Sequence, residues 1–160
     1  MSRPLIIGHR GAPGYRPEHT RGSYELAIEM GVDAVEPDIV VSNDGILVIR
    51  HENELSTSTD VADHPEFAQR RTTKRIDGLD HVGWFAEDFT LAELRSLRVK
   101  ERMPGLRPQN ARYDGLYQIP TFAEIIALKR AKEAETGRVI GLYPELKHPT
   151  LLLQQARVNT

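Results

Sequence analysis

Glu36 and Asp38 stand two positions apart within an apolar run, so on a strand both carboxylates point to the same side. Two acids on one buried face repel each other and need a compensating cation. A hard divalent ion, Mg²⁺ or Ca²⁺, supplies that compensation through oxygen ligands. Glu145 ends a later apolar run and offers a third oxygen. Any one of these acids alone reads as a solvated strand-end group; three of them, each after an apolar run, point to a metal. His9 and His51 each follow a strand-like run directly. Alone, such histidines are usually structural. As a pair flanking a carboxylate cluster they suit a general base and a general acid, because imidazole titrates near neutral pH. Arg10 is suited to a bidentate grip on phosphate. Lys147, two after Glu145 and so on its side, adds a point charge or neutralises that acid. Glu18 positions His9 or Arg10, or is simply an acidic group in the first turn of the helix that follows. Together these are the parts of a metal-assisted phosphoryl-transfer site.

The elements that must hold them are short. Leu5-Ile6-Ile7-Gly8 reads as a buried strand, followed by a loop rich in Gly and Pro. A helix is expected from near Thr20, with Tyr24, Ala27 and Ile28 on one face and Gly31 as its stop. Residues 32–41 form a second strand, and Ile46-Leu47-Val48-Ile49 a third, with the turn signal Asn43-Asp44-Gly45 between them. That link is either a hairpin or an extended return, and both bring His51 back toward Glu36 and Asp38. From Glu52 to about Tyr117 the chain turns polar and weakly periodic, the mark of an insertion or an active-site lid over residues 53–117. Capping boxes at Thr90–Glu93 and Thr121–Glu124 start two helices, and Gly137 ends the second. Residues 139–143 are a fourth strand, running into Glu145. Strands separated by helices, with polar residues at their C-terminal ends, indicate an α/β fold of the βα-barrel type.

The chain has 160 residues, 39% of them hydrophobic, and a net charge of −2, a balance that fits a globular domain and argues against disorder or a polycationic nucleic-acid binder. The absence of cysteine excludes disulfides and thiolate metal sites. The cationic run at 70–75 lacks interleaved aromatics and reads as a solvated face. His64, His81 and His148 read as structural. The N-terminal apolar run is too short for a signal peptide or a membrane span, so the chain as written is expected in the cytoplasm.

His9-Arg10-Gly11, Pro17-Glu18-His19-Thr20, Glu36-x-Asp38, His51 after Val48-Ile49, and Glu145-x-Lys147 resemble, in order and spacing, the motifs of glycerophosphodiester phosphodiesterases. The resemblance runs from about Ile6 to Pro149, and its Pro-Glu-His-Thr form is similar to the bacterial branch related to the periplasmic enzyme. It implies a phosphatidylinositol-phospholipase-C-like (β/α)₈ TIM barrel that cleaves small glycerophosphodiesters to sn-glycerol 3-phosphate and an alcohol. It also implies one divalent metal ion on Glu36, Asp38 and Glu145, acid and base roles for His9 and His51, and a family insertion matching 53–117. If the N-terminus is incomplete, a periplasmic or secreted location is implied. Two departures stand out. Glu52 replaces the family's usual aspartate after the second histidine, which keeps the charge on a longer arm. A complete barrel needs about 250 residues, so this chain is expected to be the N-terminal part of one, ending after about its fourth strand. The run from Leu151 to Thr160 does not continue the barrel pattern. Open strand edges then favour a homo-oligomer or aggregation. The competing expectation is a catalytically impaired half-barrel that keeps divalent-metal binding alone.

Overall fold

Pro37 and Pro144 interrupt two adjacent strands at the same level, and this divides the wall of the molecule in two. The computed structural model describes residues 3–151 and Leu153. Below the prolines lie β1 (Ile7–His9), β2 (Ala34–Glu36) and β7 (Gly141–Leu142), a parallel sheet in the order β1-β2-β7. Above them lie β3 (Asp38–Val41), β4 (Leu47–Ile49) and β8 (Glu145–Leu146), in the order β4-β3-β8. Proline lacks an N–H but keeps its carbonyl, and the Pro37 carbonyl accepts from Glu145 N at 3.0 Å, so the wall stays continuous. The Asn43-Asp44-Gly45 link is the hairpin of the two alternatives: β3 and β4 are antiparallel, with Ile39 opposite Ile49.

Helix α1 (Arg21–Glu29) starts where Thr20 accepts from Ser23 N, and α3 (Phe122–Thr136) starts at the Thr121–Glu124 capping box and ends at left-handed Gly137. Tyr24, Ala27 and Ile28 of α1 and Ile125 and Leu128 of α3 bury against Val35, Ile39, Ile49 and Ile140. The alternate residues Val40 and Val48 face the opposite way, into a second apolar cluster.

Residues 53–117, weakly periodic in sequence, supply most of that second cluster. They contain the hairpin β5 (Thr72–Ile76) and β6 (Leu79–Gly83), several 3₁₀ turns and α2 (Leu91–Ser96). Leu55, Val61, Phe85, Phe89, Leu94, Leu97 and Val99 are all fully buried there. The run at 70–75 is not simply a solvated face: Arg70 pairs with Glu93 and lies over Phe89, and Lys74 binds Glu87 and Asp88. The first strand also departs from expectation. Among the described residues β1 pairs only with β2, so Leu5, Ile6 and Ile7 are exposed and only Gly8 of the strand is buried. Apart from Leu151 and Leu153, the stretch from Leu151 to Thr160 lies outside the described residues. No helix among the described residues is long and apolar enough to cross a membrane.

Candidate metal centre and phosphate site

The loop after β1 is folded back onto the first turn of α1. Arg10 and Gly11 take positive φ (59° and 92°), and a Cβ on Gly11 would stand 2.7 Å from the Ser23 carbonyl carbon, so only glycine fits. Ala12 N donates to both Ser23 O and Ser23 Oγ, and Arg10 N donates to Glu36 O. His9 and Arg10 are thereby set against the end of β2. The left-handed conformation of Arg10 and of His19 (φ 58°) costs roughly 1–2 kcal/mol each, a form of strain that gathers at functional sites.

Asp38 stands beside Glu145 in the β3–β8 register, with Glu36 just before Pro37. One oxygen from each of Glu36, Asp38 and Glu145 lies within 4.8 Å of the others. Glu36 Oε2 and Asp38 Oδ1 are buried without a hydrogen-bond partner. Burial, with Asp38 and Glu145 nearby, holds the Glu36 carboxyl above its usual range. Buried, unsatisfied, mutually repelling oxygens fit a hard divalent cation. Lys147 Nζ supplies part of the charge, 2.7 Å from Glu145 Oε1 and 3.7 Å from Asp38 Oδ2. Burial alone would raise the Asp38 carboxyl, but the His19 hydrogen bond together with the His19, Lys147 and His51 charges keeps it below its usual range.

His9 is mostly exposed, its Nε2 3.6 Å from Glu36 Oε2, and partial burial followed by the Arg10 charge lowers its pKa. His51 follows β4; its Nδ1 is 2.6 Å from Glu52 Oε1. That pairing, against the cost of burial, brings the Glu52 carboxyl down to about 2. Glu18 is buried at 2% exposure, with Arg10 Nη1 3.3 Å away and Arg102 Nε 2.9 Å, the latter donated from the 53–117 stretch. Its carboxylate contacts Arg10 through both oxygens. Arg10 Nε, 3.6 Å from Asp38 Oδ2, has no hydrogen-bond partner.

Several neighbours were not anticipated. His19 is fully buried between Asp38 and the Tyr24 hydroxyl, and burial drives its pKa down to about 4. Its place in the Pro17–Thr20 motif, just ahead of a helix carrying an inward tyrosine, was the available signal. His148, read as structural, contacts Glu52 and Asp77 and ties the end of β8 to the β5–β6 turn. Arg50 is fully buried with Nε and Nη1 unpartnered, and burial lowers its pKa to about 10.

The family model described as "Glycerophosphoryl diester phosphodiesterase family" matches residues 9–160. The chain is 44% identical over 156 residues to the Arabidopsis thaliana glycerophosphodiester phosphodiesterase GDPD6, covering 98% of this chain and 40% of the relative. It is 35% identical to the Haemophilus influenzae glycerophosphodiester phosphodiesterase, covering 92% of this chain and 40% of that protein. Among solved structures, an Oleispira antarctica phosphodiesterase in complex with the product sn-glycerol-3-phosphate aligns with a TM-score of 0.58 and 30% identity, over 90% of this chain and 44% of that one. The Agrobacterium tumefaciens glycerophosphodiester phosphodiesterase aligns with a TM-score of 0.62 at 21% identity, over 90% of this chain and 47% of that one, a likeness of fold. The chain thus spans about 40% of the length of the curated relatives it matches, and its wall is the N-terminal part of their TIM barrel.

Proposed function

This chain belongs to the glycerophosphoryl diester phosphodiesterase family, and from that premise we propose that it carries the machinery for metal-dependent hydrolysis of glycerophosphodiesters to sn-glycerol 3-phosphate and an alcohol. The observation that carries the reading is the cluster of Glu36, Asp38 and the exposed Glu145, in which Glu36 Oε2 and Asp38 Oδ1 are buried without partners. These three residues would hold one divalent ion, Mg²⁺ or Ca²⁺, which offsets charge on a non-bridging phosphate oxygen. Arg10, held by Glu18, and Lys147 bind the remaining phosphate charge. His9, whose pKa is lowered by partial burial and the Arg10 charge, takes the proton from the nucleophile. His51, with Nδ1 2.6 Å from Glu52 Oε1, offers Nε2 to protonate the leaving alcohol.

A second reading has its own support: β1 has an unpaired edge among the described residues and His9 is mostly exposed. On this reading the chain binds the ion and does not turn substrate over. Hydrolysis of glycerophosphocholine by the purified chain with Mg²⁺ or Ca²⁺ separates the two. Turnover abolished by chelation supports the enzyme; turnover that survives thorough chelation sinks the metal assignment. Divalent binding without turnover selects the second reading.

A further inference from the structure

Asp38 is gripped from behind. His19 Nε2 lies 2.9 Å from Asp38 Oδ2, and His19 Nδ1 lies 2.7 Å from the Tyr24 hydroxyl. His19, Tyr24 and Asp38 are fully buried. An ionised carboxylate only accepts hydrogen bonds, so the ring nitrogen facing it must carry a proton. In the neutral ring Nδ1 is then bare and must accept. Tyr24 has two acceptors in reach, His19 Nδ1 at 2.7 Å and the Glu36 carbonyl at 3.4 Å, and the shorter contact takes the phenol proton. The ring is not free to turn away. His19 N donates to Arg10 O at 3.1 Å, and Thr20 Oγ1 donates to Pro17 O at 2.7 Å, which pins the left-handed residue from both sides.

We propose that His19 is a positioning residue for the divalent site: the Tyr24 hydroxyl fixes the imidazole as the Nε2–H tautomer, and that N–H holds Asp38 Oδ2 so that Oδ1 is left as the donor. The proposal rests on the metal reading above. Oδ1 is the Asp38 oxygen that is buried and unpartnered, as the arrangement requires. The same residues carry the effect backward: α1 supplies Tyr24, so the seating of that helix on β2 and β3 bears on a ligand it does not touch.

Two measurements test it. On the metal-free chain, ¹⁵N NMR of the His19 ring should report protonated Nε2 and bare Nδ1; a ring protonated on Nδ1 alone overturns the proposal. Calorimetric titration with Mg²⁺ or Mn²⁺ then compares the wild type with three variants, each checked for native circular dichroism. His19→Gln, which keeps an N–H within reach of Asp38, should retain wild-type affinity. His19→Leu should lose about 10- to 100-fold, the usual effect of removing a group that supports a ligand. Tyr24→Phe, which removes only the hydroxyl that backs the ring against Asp38, should fall between them. A folded Leu variant with wild-type affinity, or a Gln variant no better than Leu, overturns the proposal. Should His19→Leu fail to fold, Tyr24→Phe decides: unchanged affinity overturns it. A wild-type chain that binds no divalent ion defeats the metal reading itself, and the tautomer measurement still tells whether Tyr24 sets the ring.

Discussion

At the strand ends, buried polar atoms go without partners: Glu36 Oε2, Asp38 Oδ1 and Arg10 Nε, beside the left-handed Arg10 and His19. Farther along β3 and β4, in the apolar cluster between Leu55 and Val99, the opposite holds. Leu55, Phe85, Phe89 and Val99 are apolar and fully enclosed, Phe67 and Phe89 meet edge to face at 5.0 Å, and the buried Trp84 Nε1 donates to Phe67 O at 2.7 Å. Both regions share the side of β3 from which Asp38 and Val40 project, the site at the strand end and the apolar cluster farther along. The contrast teaches where stability is made and where it is spent: unsatisfied groups and strain sit where a ligand is expected, and closed packing sits beside them.

The largest expected effect tests the packed side. Phe89→Ala should cost about 3–5 kcal/mol in urea unfolding, while Ile7→Ala in half-exposed β1 should cost well under 1 kcal/mol, in line with surface substitutions. Equal costs would break the comparison. Next is the site itself. Glu36→Gln should weaken Mg²⁺ binding at least about tenfold by calorimetry, yet leave the metal-free chain as stable or more so by about 0.5–1 kcal/mol, since it relieves repulsion. A clear loss of metal-free stability would show that Glu36 is structural. Caps are local, so they should not distinguish the two regions: Thr90→Ala and Thr121→Ala should each cost about 1 kcal/mol by thermal melting.

The smallest effect is a pH dependence on the packed side. The Arg70 hydrogen bond, against a smaller burial effect, holds Glu93 at about 2, below its ordinary 4.5. A lowered folded pKa means the contribution is complete above about 4.5 and is lost as pH falls toward 2. Glu93→Gln should flatten part of the fall in urea midpoint over that window, and an unchanged slope would show the pair to be idle.

What could be read without coordinates was whatever is local in sequence. Both capping boxes, the Gly137 stop, the hairpin turn and the i, i+2 carboxylates depend on residues a few positions apart, and each is found where its spacing put it. The β5–β6 hairpin was missed although Asp77-Gly78 marks its turn, because β5 is Thr, Lys and Arg up to Ile76 and β6 has only Leu79 and Val82 as apolar residues, three apart and so off the alternating pattern. Arg102 reaches Glu18 across 84 positions, and His19 reaches Asp38 across 19, separations that no local pattern encodes. The exposure of Ile6 and Ile7 depends on what pairs with the far edge of β1, which its own apolar run cannot state.

The register between Ala34 and Gly141 has a kinetic side. The hairpins β3–β4 and β5–β6 close over a few residues, whereas β7 and β8 join β2 and β3 only across a loop of more than a hundred. Closure entropy rises with loop length, so these strands should dock after the hairpins and the apolar cluster between them have formed. Glu145 travels with that last docking. The third carboxylate therefore arrives at the end of folding, and a divalent ion added to the refolding chain should leave the early phases alone and act mainly by slowing unfolding.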